Sequence, residues 1–164
     1  MSGLSRRQYL AGLAVAGGIS GCLGGGVDSG SSAPMLDTIA VGDLSAETIP
    51  ARPAGESAIV DFFATWCAPC KPQMAELRAV QDEFPDLHMV SVTREDDADA
   101  IRGFWREYEG TWPVGSDPTL QLFQHYSVTS VPTKVLVDSD GTVRWRHSGL
   151  AAAATIAEKV RAVV

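Results

Sequence analysis

The sequence predicts an α/β domain, a central mixed β-sheet flanked by helices, with a short N-terminal extension. Three observations predict it. Ala58-Ile59-Val60-Asp61-Phe62-Phe63-Ala64 is a continuous apolar run of strand length, as a strand buried on both faces should be. A segment of helical period follows at once, with Met74, Leu77, Val80 and Phe84 along one side. Near the C-terminus, Lys134–Val137 and Val143–His147 flank Asp138-Ser139-Asp140-Gly141, the turn chemistry of a β-hairpin.

The remaining elements fall between these. Leu36–Val41 is a short strand, and Pro50, Pro53 and Gly55 mark loops. The first long helix covers 68–84 and ends at Pro85. Leu87–Val92 is the second core strand. Asp96, Asp97 and Asp99 crowd the start of the next helix, where the macrodipole favours negative charge. Ile101, Phe104, Trp105 and Tyr108 give that helix one apolar face, and Gly110 stops it. Trp112–Val114 is a short extended piece, Leu120–Tyr126 a brief helix. In the hairpin, Val143, Trp145 and His147 alternate with Arg144 and Arg146, as in a half-buried strand. A last helix spans Ala151–Val163 with Ile156, Val160 and Val163 on one side. The core order is strand, helix, strand, helix, strand, strand, helix.

With 164 residues, 45% of them hydrophobic, the chain has room for one domain plus a tail. Thirteen basic residues stand against 20 acidic ones, for a net charge of −7. No basic stripe or patch is present, so nucleic acid is set aside as a partner. Three cysteines are too few for a disulfide-stapled scaffold.

Two of the three stand in Thr65-Trp66-Cys67-Ala68-Pro69-Cys70-Lys71, between the apolar strand and the first long helix. A strand that delivers Cys-x-x-Cys to a helix start is an arrangement for thiol–disulfide exchange. The reactive species is the thiolate, and the partial positive charge of a helix N-terminus favours it. Cys67 falls at the expected N-cap and Pro69 inside the first turn, where a missing N–H costs nothing. Cys70, Met74 and Leu77 follow i, i+4, i+7, which puts Cys70 on the buried face. Cys67 is therefore expected to be exposed and attacking, Cys70 covered and resolving.

The first residues read as a targeting segment. Ser5-Arg6-Arg7-Gln8-Tyr9-Leu10 resembles a twin-arginine export signal, although Ala11 stands where a lysine is common. The apolar stretch from Leu10 to Ile19 is too short to span a bilayer. Ile19-Ser20-Gly21-Cys22 resembles a lipobox, in which Cys22 becomes a lipidated N-terminus. The expected organisation is a signal at 1–21, the lipidated cysteine with a Gly/Ser-rich tether at 22–34, and the folded domain at 35–164.

The element order, with Trp-Cys-x-x-Cys opening the first helix, resembles the membrane-tethered TlpA/ResA-like branch of the thioredoxin superfamily over roughly residues 36–164. Val60–Lys71 carries most of the likeness; Val131-Pro132-Thr133 and Val137–Gly141 with Gly149 carry the rest. The resemblance implies a thioredoxin fold with a Cys67–Cys70 dithiol/disulfide pair. It implies that Asp61 is the buried acid serving Cys70, and a buried carboxyl is costly unless used or hydrogen-bonded. It implies a cis bond at Pro132, which stacks against the disulfide, with the Val131 backbone pairing to an extended substrate, Trp66 shielding the sulfurs, and Ala68 and Pro69 in the substrate-binding surface. Pro72 departs from the pattern, lying where its absent N–H begins to be needed.

The function expected from this is an extracytoplasmic thiol–disulfide oxidoreductase on the outer face of the cytoplasmic membrane. It would reduce disulfides of exported proteins and be recharged by a membrane thiol-electron donor. Apocytochrome c thiols are a typical substrate of that branch, and nothing in this sequence selects them. Ala68 and Pro69 carry no charge to stabilise the thiolate, which favours a reductant over the alternative of a thiol oxidant or isomerase. Other readings are a metal-binding lipoprotein and a surface lipoprotein with an inert disulfide. One Cys-x-x-Cys gives two soft ligands where structural zinc takes four, and no histidine lies at ligand spacing, so neither metal nor cofactor is expected.

Overall fold

The computed structural model describes residues 33–164. The twin-arginine segment, the lipobox with Cys22 and the tether up to residue 32 lie outside them.

The core run forms strand β3 (Ala58–Phe62), every residue of it buried. Its side chains alternate between two apolar clusters. Ile59 faces one and Val60 and Phe62 the other, and Phe63, just past the strand, joins Ile59. Asp61 is the polar exception on the Ile59 side. Among the described residues the sheet contains seven strands. In chain order, β1 is Met35–Thr38, β2 Thr48–Pro50, β4 His88–Thr93, β5 Val114–Ser116, β6 Thr133–Val137 and β7 Val143–Ser148. They lie in the order β2-β1-β5-β4-β3-β6-β7. β3 runs parallel to β4 and antiparallel to β6, so the sheet is mixed as expected.

Among the described residues four helices cover it: α1 (Cys70–Glu83), α2 (Ala98–Glu107), α3 (Gln121–His125) and α4 (Ala153–Arg161). Met74, Leu77 and Val80 of α1, Ile101, Phe104 and Trp105 of α2, and Ile156 and Val160 of α4 share the cluster with Ile59. Leu122 and Phe123 of α3 pack in the other cluster, where Phe62 meets the Phe123 ring edge-on at 4.8 Å.

The expected core order stands; the short strand expected at 36–41 is β1, the extended piece expected at 112–114 leads into β5, and β2 is the addition. β1, β2 and β5 are three or four residues each, too short to show a period, and they close one side of the sheet. Residues 33 and 34, expected in the tether, already belong to the domain: the Ala33 N–H donates to the Arg52 carbonyl, and the Pro34 carbonyl accepts from the Ala51 N–H.

α2 ends differently from the sequence reading. The left-handed position after its C-cap is held by Glu109 (φ 54°), not by Gly110. The Gly110 N–H reaches back to the Trp105 carbonyl at 2.8 Å, the long bond of a Schellman ending. Gly110 is glycine because the Trp105 ring lies on it; a Cβ there would sit 2.3 Å from a ring carbon. Gly110→Ala should therefore destabilise the domain by about 1–3 kcal/mol through overpacking. A denaturant midpoint equal to wild type would contradict this.

Candidate active site

Cys67 and Cys70 are joined in a disulfide with their Cα atoms 5.3 Å apart. The helix start differs from the sequence reading. α1 begins at Cys70, and Pro69 is the N-cap with helical φ −73° and ψ −13°. Cys67 thus precedes the helix in a tight turn, its carbonyl accepting from the Cys70 N–H at 3.2 Å. Pro72 falls in the first turn, where backbone N–H groups have no intrahelical acceptor, so the helix runs through it without a break. The first turn of α1 carries no acidic residue and no side-chain cap. In a chain of net charge −7 this leaves the helix tip open to a thiolate.

The expectation that Cys67 is open to solvent needs correction. Cys67 is 4% exposed and Cys70 1%. The physical reason is packing: Cys70 is a core residue of α1 beside Met74 and Leu77, and Cys67, joined to it, lies in the same apolar cluster. Ala68 and Pro69 remain exposed between them. Trp66 is 62% exposed and does not lie buried over the sulfurs. The Arg94 guanidinium stands 5.8 Å from the centre of its ring. Trp66 and Val131 line one cleft of about 620 Å³ together with Arg94, Leu120, Phe123 and Val128. The Val131–Pro132 peptide is cis, and the Pro132 carbonyl accepts from the Gly149 N–H at 2.8 Å.

Asp61 lies in register between Ser91 on β4 and Lys134 on β6. Neighbours in register share a face, so these three side chains meet on the side of the sheet that α1 covers. The Ser91 hydroxyl donates to Asp61 Oδ2 at 2.8 Å and accepts from the Trp112 indole N–H at 2.9 Å. Among the described residues Asp61 Oδ1 has no hydrogen-bond partner. Burial pushes the Asp61 carboxyl up to about 6, against the opposing pull of the Ser91 hydroxyl and the Lys134 charge. A carboxyl poised there exchanges a proton readily near neutral pH.

No local pattern in the sequence marks Glu95. Its carboxylate accepts from the Thr65 backbone N–H at 2.7 Å, from the Thr65 hydroxyl at 2.6 Å and from the Thr93 hydroxyl at 3.0 Å. It pins the loop just ahead of Trp66-Cys67. Glu95→Ala strands these donors and should lower stability by about 2 kcal/mol, since hydrogen bonds to a charged group contribute roughly 1.5–3 kcal/mol. An unchanged melting curve would show that the contact is replaceable by water.

With the geometry established, comparison with known proteins defines the class. The family model named Redoxin matches residues 29–160, and the chain belongs to that family. Thioredoxin-like protein YneN of Bacillus subtilis is 30% identical over 129 residues, covering 76% of this chain and 74% of YneN. Thiol-disulfide oxidoreductase ResA of Bacillus thuringiensis subsp. konkukian is 25% identical over 120 residues, or 71% and 68%. The match to ResA of Bacillus cereus, 26% identical, spans 54% of this chain and only about half, 53%, of that protein. Two solved structures share the fold. StoA of B. subtilis has a TM-score of 0.66 at 22% identity, covering 77% of this chain and 95% of StoA. A thiol:disulfide interchange protein of the thioredoxin family from Chlorobium tepidum has a TM-score of 0.66 at 21% identity, covering 82% and 96%. The protein is thus a ResA-like thiol–disulfide oxidoreductase of thioredoxin fold.

Proposed function

We propose that this protein works outside the cytoplasm, reducing disulfides of exported proteins through a Cys67–Cys70 cycle while a lipid on Cys22 holds it at the outer face of the cytoplasmic membrane. The observation that carries the chemistry is the Cys67–Cys70 disulfide at the start of α1, with a buried carboxyl on the face of the sheet below that helix. In the reduced protein the Cys67 thiolate attacks one sulfur of a partner disulfide, forming the mixed disulfide and expelling the partner's other sulfur as a thiolate. Asp61 takes the proton from the Cys70 thiol. The Cys70 thiolate then attacks Cys67 Sγ, releasing the partner as a dithiol and leaving Cys67–Cys70 oxidised. Two electrons pass to the partner, and a thiol donor in the membrane returns them. No organic cofactor enters the cycle.

Val131 and Pro132 offer the backbone edge against which an extended substrate would lie, Trp66 lines the same cleft as Val131, and the exposed Ala68 and Pro69 complete the substrate surface. The uncharged Ala68-Pro69 pair supports the reducing direction, because nothing between the cysteines selectively stabilises the thiolate form. The potential of the pair, equilibrated against a dithiol of known potential, tests the direction. A value nearer the ~−270 mV of thioredoxin than the ~−120 mV of a strong periplasmic oxidant is expected. A value at the oxidising end would assign the protein to the thiol oxidants of the same fold. Anchoring is tested by detergent-phase partitioning of the full chain, which Cys22→Ala should abolish; a wild-type protein found only in the aqueous phase would remove the anchor.

A further inference from the structure

Lys134 has no exposed surface, an uncommon place for an ammonium group. It is the second residue of β6, directly opposite Asp61. Its Nζ donates to Gln73 Oε1 at 2.9 Å and to the Gly149 carbonyl. Gln73 lies one turn beyond Cys70 on α1 and is itself buried. Its Oε1 also accepts from the Ala151 N–H at 2.8 Å, and its Nε2 donates to the Ala151 carbonyl at 3.1 Å. The ammonium therefore ties three pieces together: the active-site helix, the loop after β7, and the strand beside Asp61. These acceptors are neutral amide groups. They fix the ammonium in place without cancelling its charge, which stays available to Asp61.

We propose that Lys134 is a positioning residue of the redox site, whose fixed ammonium keeps Asp61 ionised and ready to accept the proton of Cys70. The inference rests on the Asp61 proton-transfer step proposed above. The groups facing Asp61 from the elements packed around it are few. β4 presents the Ser91 hydroxyl, itself bonded to Trp112, and β6 presents Lys134. α1 carries Cys70 and Gln73 among its buried residues, and its next acid, Glu76, is engaged by the Ala153 N–H at 2.6 Å. Lys134 is thus the cation that opposes the burial of Asp61. The attraction is mutual: burial pushes the Lys134 ammonium down to about 8, and the Asp61 charge holds it up.

The test follows Ellman's reagent reacting with the reduced full-length chain in stopped flow. The first thionitrobenzoate released reports attack by Cys67, and the second reports closure by Cys70. In wild type the closure rate should fall as pH drops through about 6, the value at which Asp61 protonates. Lys134→Met should move that fall upward by about one pH unit, because the carboxylate loses its opposite charge. Lys134→Arg should restore it, and the first release should not move. If Asp61→Asn leaves the closure profile as in wild type, the proton-transfer step itself is wrong. If Asp61→Asn removes the fall but Lys134→Met leaves it at its wild-type pH, the step stands and the role of Lys134 is overturned. Should Lys134→Met not fold, Gln73→Met carries the test. It keeps the charge but removes a side-chain acceptor of the ammonium, so the fall should move upward by a smaller amount, and an unmoved fall overturns the proposal.

Discussion

Cys70→Ser should turn the protein into one that captures partners and does not release them. Cys67 still attacks, but serine cannot displace it from the mixed disulfide, so turnover falls by about a thousandfold or more and a covalent adduct accumulates. Cys67→Ser should lose turnover equally and form no adduct. The asymmetry comes from position. Cys67 lies in the turn ahead of α1, while Cys70 is the first residue of the helix and shares its buried face with Gln73, Met74 and Leu77. Gel analysis under non-reducing conditions with a model disulfide protein separates the two variants. Adducts from both would mean that either sulfur serves as nucleophile.

Asp61→Asn should slow the chemistry and stabilise the fold at once. General acid–base groups contribute roughly 10²–10⁴-fold, so closure of the mixed disulfide at pH 7 should slow by about a hundredfold. Stability moves the other way. The carboxyl is raised from 3.8 to about 6 in the folded protein, so the fold binds its proton more tightly than the unfolded chain does. The stability this confers is complete below about pH 4 and is lost as pH rises through 6. At pH 7–8 the folded protein holds an ionised, buried carboxylate at a cost of about 3 kcal/mol. Asparagine removes that cost but takes the counter-charge from Lys134, so a net gain smaller than about 3 kcal/mol is expected at pH 7.5, shrinking towards zero near pH 4. A variant less stable than wild type at pH 7.5 would mean that the Asp61–Lys134 attraction outweighs the burial of the carboxyl.

Much of this site was legible because its residues break local patterns. Asp61 is the single charge in an apolar run, and the cysteines stand where a strand hands over to a helix. The thioredoxin-fold order of the core was legible from the same runs, as was the hairpin around Gly141. β2 was obscured by length, since three residues carry no period, and β1 and β5 were located only approximately, as a strand at 36–41 and an extended piece at 112–114. The start of α1 was misplaced because proline suits both N-cap and first-turn positions, and the turn bond from Cys70 N–H to Cys67 decides between them only in three dimensions. Lys134 at the start of Lys134–Val137 looks like the polar end of a buried strand. Register with Asp61, which no local pattern encodes, makes it part of the site. Glu95 was hidden for the same reason, 30 residues from the threonine it holds.

The exchange chemistry depends on two sulfurs in unequal surroundings and one buried carboxyl. Alkylation of the reduced protein with iodoacetamide at pH 7, followed by peptide mapping over time, measures that inequality directly. Cys67 should be modified first and Cys70 only after the chain is unfolded. Equal labelling of both thiols in the folded protein, or labelling of Cys70 ahead of Cys67, would contradict it.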